Sequence, residues 1–225
     1  MNTATMNTLD SRFIRLGNCF AHRFSAPGTF TYVLSPLPVS LAARDDDPAA
    51  QTVIVRPGDD DTEEQSAGQR QHYIRVTMAS SGLRARPAEL RVTAGDLVIW
   101  SADGSVTYGF RVRGRIGDEL VDSASMRTES VFTHAFGLPG SYEWADANGS
   151  RLHGQVHVDT PDASRGHEEW LSRLEQGTLI HVRGAHAEPE SVRIHVGQTV
   201  VWAVEDAPGV TITDTTLITK GPRAS

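Results

Sequence analysis

The chain has 225 residues with a formal net charge of −7; 39% of its residues are hydrophobic and 22% charged, and it contains 20 glycines and 11 prolines. That size accommodates one large or two small domains, and the composition is that of a loop-rich globular protein rather than a disordered or fibrous one. The acidic balance argues against nucleic-acid binding, which rests on a basic surface that neutralises phosphates.

From the N-terminus, the first residues lack the basic start and apolar core of a secretory signal. No stretch in the chain approaches the roughly 18 apolar residues of a membrane span. Cys19 is the single cysteine, so no intrachain disulfide can form and no oxidising compartment is needed. The expectation is a cytoplasmic protein without a membrane or nucleic-acid partner. Residues 57–71 form an acidic linker almost free of apolar residues, and their spacing lacks the glycine and terminal glutamate of a calcium loop. Short alternating runs then predict strands at Ile74–Met78, Leu90–Trp100, Tyr108–Gly114, Ser130–Phe136, Ser141–Trp144 and Gly154–Val158. Residues 159–167 form a second linker. His167–Gly177 is the one helical pattern, with Trp170, Leu171 and Leu174 on one face.

Two internal matches set the expected architecture. Phe20–Tyr32 (FAHRFSAPGTFTY) aligns without a gap on Phe132–Trp144 (FTHAFGLPGSYEW), with five identities in thirteen positions. Pro87–Trp100 (PAELRVTAGDLVIW) aligns on Pro189–Trp202 (PESVRIHVGQTVVW), sharing Gly95/Gly197, Val98/Val200 and Trp100/Trp202. The middle of the chain thus carries both halves of a unit, and each end carries one. An unpaired half would leave sheet edges and an apolar face in water. The expected fold is therefore all-β: a contiguous sandwich at 72–158, and a second assembled from 12–56 and 168–225, either within one chain by circular permutation or between chains by domain exchange, with at most one short helix.

A proline, an alternating strand, a Gly-Asp turn and a valine-rich strand ending in Trp100 are followed later by F-x-x-PG-x-Y-x-W and G-x-V-x-V. This pattern resembles the cupredoxins, the plastocyanin-like blue copper proteins, and implies two Greek-key β-sandwiches. The family's copper site uses an early His and a late Cys, His and Met. The resemblance puts those positions at Tyr108, Asp146, Gly149 and Leu152, and in the split unit at Leu34 and Val210. None of these supplies a type-1 copper ligand set, so the implied scaffold is copper-free, with no cofactor.

Nine histidines remain. His22 and His134 occupy equivalent repeat positions between phenylalanines, which favours a structural role. His153 lies beside the former Met position, and His157, two strand steps of about 6.6 Å further on, is too distant to share its metal. No G-x-S-x-G elbow, P-loop or HExxH motif is present, and Cys19 reads as a small hydrophobe. The leading expectation is a non-enzymatic binding or assembly module with a protein partner or self-association. The alternatives are a metal or redox protein using histidines such as His22, His134 or His153, and an accessory enzyme of unassigned reaction.

Overall fold

The computed structural model describes residues 8–36, 50–58, 70–160 and 176–218. Among these the protein is all-β, and its only helical piece is a 3-10 turn at Thr215–Leu217. The first unit of the chain contributes β1 (Asn18–Arg23), β2 (Gly28–Pro36), β3 (Gln51–Arg56), β4 (Gln71–Ala79), β5 (Gly82–Arg86), β6 (Glu89–Thr93), β7 (Leu97–Ala102), β8 (Phe110–Ile116) and β9 (Glu119–Asp122). The second contributes β10 (Ser130–Ala135), β11 (Gly140–Asp146), β12 (His153–Asp159), β13 (Thr178–Arg183), β14 (His186–Glu188), β15 (Ser191–His195), β16 (Thr199–Asp206) and β17 (Ile212–Asp214). The six runs expected to be strands fall on β4, on β6 with β7, and on β8, β10, β11 and β12. All but the last two residues of the expected helix at His167–Gly177, and the bulk of both linkers, lie outside the described residues. No helix among the described residues is long and apolar enough to cross a membrane.

Alternation dictates the layers. In β12, Gly154, Val156 and Val158 are buried while His153, Gln155 and His157 face outward, and in β16 Val200, Trp202 and Val204 are buried. The glycines shared by the two repeats, Gly95 and Gly197, have φ of +97° and +91° in the turns entering β7 and β16, a conformation that a side chain would strain. The strands form an eight-stranded sheet in the order β14-β13-β16-β10-β1-β7-β4-β5, a five-stranded sheet β6-β3-β2-β8-β9 and a four-stranded sheet β15-β12-β11-β17.

Aromatic contacts fix which smaller sheet faces which half of the large one. Trp100 of β7 meets Phe30 and Tyr32 of β2 edge-on, with centroids 6.2 and 5.6 Å apart, and Trp202 of β16 meets Trp144 of β11 at 5.9 Å and 86°. The five-stranded sheet therefore covers the half made of β1, β7, β4 and β5, and the four-stranded sheet covers the half made of β10, β16, β13 and β14. The halves join where β1 pairs antiparallel with β10, with Phe20 directly opposite Phe132. Because these phenylalanines are repeat equivalents, a local two-fold axis passes between them. Their cross-strand neighbours are the equivalent Trp100 and Trp202.

This pairing differs from the expected meeting of 12–56 with 168–225 and from a self-contained 72–158. The N-terminal half-unit completes itself with the segment that follows it: β3 pairs parallel with β6, and β2 pairs antiparallel with β8. In the same way β12 pairs parallel with β15 and β11 antiparallel with β17. The backbone groups satisfied are equivalent in either scheme. Taking the neighbouring half closes a loop several-fold shorter than the end-to-end alternative, a difference of about 1 kcal/mol in closure entropy. The repeat is thus a tandem of like-ordered units rather than a whole unit flanked by two fragments.

The segment before β1 straps the two smaller sheets together. Leu9 and Ile14 are fully buried. Ser11 N donates to Ile212 O at 2.8 Å, and Ile14 exchanges backbone bonds with Phe110 at 2.8 and 3.0 Å, so one short stretch engages both β17 and the start of β8.

Candidate functional site

The positions that the cupredoxin resemblance marks for copper do not come together as one set. Asp146, at the end of β11, is buried, and its Oδ1 accepts from Thr211 N at 2.9 Å and from Asn148 N at 3.0 Å. Gly149 follows in a turn with φ +86°, and Leu152 is fully buried. Asp146 thus lies against the segment carrying Val210, which is buried and bridged to Met126. Tyr108 belongs elsewhere: it is exposed in the loop before β8, the strand on which Leu34 pairs with Val112. The tandem arrangement accounts for this exchange of partners.

Asp146 acts locally as a turn-former, capping the backbone N–H groups that the loop leaves unpaired, and its Oδ2 is buried with no hydrogen-bond partner. Replacing Asp146 with Ala removes the acceptor for two N–H groups, one of them in a buried contact. A loss of about 2–3 kcal/mol is expected in urea unfolding, with Asn, which keeps one oxygen, recovering a large part of it.

His22 and His134 are equivalently placed by the local two-fold. His134 Nδ1–H donates to Asn18 Oδ1 at 2.8 Å, and His22 Nδ1 lies 3.3 Å from Ser130 Oγ, with Asn18 and Ser130 themselves repeat equivalents. Each ring packs edge-on against the phenylalanine two residues on, Phe24 or Phe136. Burial lowers both imidazoles to about 4, and in His134 the nearby Arg15 adds to the effect. They are held neutral inside the sheet and do not face a common space. His153 is exposed on β12, where Nδ1–H donates to Arg151 O at 2.8 Å and Nε2 lies 2.9 Å from Glu190 Oε1. Among the described residues no group of three or more His, Cys, Asp or Glu side chains could hold a metal ion. At Cys19, burial pushes the thiol up, away from the thiolate form.

His153 does line a cavity of about 420 Å³ on the outer side of the four-stranded sheet, with Glu143, Gln155, Glu190, Ser191 and Thr215. Its floor is Gly154, where a Cβ would lie 2.5 Å from Glu190 O and 2.6 Å from the Trp144 ring; the indole thus excludes every other residue there. Two carboxylates, an imidazole, an amide and two hydroxyls can hydrogen-bond a small polar ligand, but they supply no buried nucleophile. Glu143, Gln155 and Glu190 escape a reading of the sequence alone: the parallel pairing of β12 with β15 brings Glu190 beside a strand more than thirty residues earlier. The outward alternation of β11 and β12 was the one signal available for the other two.

Other outward residues include a bond between Ser141 Oγ and His157 Nδ1 at 2.9 Å, open to solvent on the same sheet. The five-stranded sheet instead presents Arg111, Arg113 and Arg115 along β8, where Arg111 donates from Nε and Nη2 to the two carboxylate oxygens of the buried Asp122. Comparison with protein-family models, with curated proteins and with solved structures finds no match to this chain.

Proposed function

We propose that this chain is a non-enzymatic binding or assembly module built from two cupredoxin-like sandwiches without a type-1 copper site. The observation that carries the reading is the chemistry at the ligand-equivalent positions. Type-1 copper needs a thiolate with two imidazoles, whereas Asp146 is engaged with Thr211 N and Asn148 N, Leu152 and Val210 are buried apolar residues, and Gly149 has no side chain. The repeat's own histidines, His22 and His134, are buried between strands as hydrogen-bonded neutral rings. What the protein offers to partners is its broad sheet surfaces, and β-sheet faces and edges suit protein recognition.

The decisive experiment is metal analysis of protein purified without a histidine tag and then incubated with Cu(II) and dialysed. Substoichiometric copper and no intense visible charge-transfer band are expected. One tightly held copper per chain with such a band would overturn the reading in favour of redox work.

A further inference from the structure

We infer that the strap, Leu9–Ile14, is an exchangeable strand, and that the partner this chain assembles with is a second copy of itself, each copy laying its strap on β17 of the other. Exchange of this kind rests on the binding-or-assembly reading and names its partner. The strap has a repeat mate. Leu9-Asp10-Ser11 and Val121-Asp122-Ser123 stand at the same spacing as Phe20 and Phe132, and Ile14/Met126 and Arg15/Arg127 follow at matching positions. Their bonds match as well. Ser11 N donates to Ile212 O at 2.8 Å and Ser123 N to Val112 O at 2.9 Å. In return Ile212 N donates to Ser11 Oγ at 2.9 Å and Val112 N to Ser123 Oγ at 3.0 Å. Asp10 Oδ1 accepts the backbone N–H of Arg12 as Asp122 Oδ1 accepts that of Ala124.

Through this equivalence β9 leads into the second unit as the strap leads into the first, and each leader pairs with the last strand of the other unit. β9 lies along β8, and the strap bridges to β17 at Asp10 and Thr213. The two units thus close on each other as a ring of two. The same donor and acceptor can equally close a ring of four units from two chains, with the same bonds at every junction.

The two donors differ in their tethers. Ser123 lies 11 positions from its partner Val112, across the tight turn that joins β8 to β9, and is held to its own chain. Ser11 lies 201 positions from Ile212, so no turn holds the strap to its acceptor. The strap connects to β1 through the short link Arg15–Gly17, and short hinges invite exchange. That link also carries a cost in the closed chain. Arg15 packs its guanidinium 4.9 Å from the Phe13 ring, and its Nε and Nη1 are buried with no hydrogen-bond partner, which is unfavourable and is relieved when the link extends into water. Leu9 and Ile14 are fully buried, so a released strap leaves two apolar side chains and the edge of β17 in water. An identical strap from a second copy restores every one of these contacts.

Two full-length chains, both Cys19→Ser, test the exchange: one carries Asp10→Cys and the other Thr213→Cys, positions paired across the strap and β17. Antiparallel partners stand about 4.5–5.5 Å apart at Cα, within the reach of a disulfide. The two chains are unfolded together in urea, refolded by dilution at high protein concentration and oxidised. A covalent heterodimer is expected on a non-reducing gel, roughly five-fold more than when Ser141→Cys, open to solvent on β11, replaces Thr213→Cys. A heterodimer yield no greater than in that control overturns the inference. Should either cysteine chain fail to fold by circular dichroism, sedimentation of the wild type refolded at high concentration decides alone. A dimer that survives dilution is expected, reduced roughly five-fold by a short Gly/Ser insertion after Leu16 that lengthens the hinge. A monomer throughout, or a dimer indifferent to the insertion, overturns the inference. Failure here leaves the copper measurement and the binding of other proteins untouched, so the two readings fall separately.

Discussion

Taking the pH from 7 to 5 is expected to destabilise the fold by about 2 kcal/mol for each of the two buried histidines. His22 and His134 have folded-state values of about 4 against 6.5 for a free side chain, and burial is the first cause in both. Between those values the unfolded chain binds the extra protons, so stability falls as pH drops through 6.5 and the loss saturates below about 4. The two sites differ in their surroundings. Half-exposed Glu119 lies 3.6 Å from His22 Nε2, and Arg15 lies near His134. A protonated His22 therefore finds a carboxylate where a protonated His134 finds another cation, so His134 should contribute the larger share. Urea titrations at pH 7, 6 and 5 measure the slope. His134→Gln should flatten it more than His22→Gln, and an unchanged slope in the double variant would contradict the assignment.

The second large effect concerns the join between the units. Phe20 and Phe132 are fully buried, lie directly opposite each other, and pack against Trp100 and Trp202 with centroids 5.6 and 5.9 Å apart. Truncation of either to Ala is expected to cost about 3–5 kcal/mol through lost burial and the cavity left behind. Because the two rings share one cross-strand pair of the ladder, the double variant should cost less than the sum, with a coupling of order 1 kcal/mol. The milder Phe20→Leu and Phe132→Leu pair provides the same cycle if the alanines do not fold. Strict additivity with two separate unfolding transitions would show that the halves melt independently.

These contacts also show what could be foreseen from the residues. Strand positions were legible because alternation is local: Val98 and Trp100, or Phe132 and His134, point to one side whatever else the chain does. The equivalence of His22 and His134 was legible because FAHRF and FTHAF align outright. The partners were not. β3 and β12 each take a parallel neighbour, and either copy of the proline-led strand, β6 or β15, would satisfy the hydrogen bonds. Periodicity carries no term for which copy is reached first, and so the N-terminal half-unit was expected beside the C-terminal one. The same gap moved Tyr108 away from Asp146. The cavity around His153 was half legible: the histidine stood out, whereas Glu190 reaches it only through the parallel register of β15 on β12.

The axis between Phe20 and Phe132 also bears on what the protein looks like from outside. Two separate identical half-chains joined there would be obliged to show the same side chains on both flanks. Fused into one polypeptide, the flanks are free to diverge, and they have: arginines at 111, 113 and 115 line one, while Glu143, Gln155 and His153 line the other. A nearly symmetric skeleton thereby acquires a head and a tail, and any charged surface it approaches will select one of them.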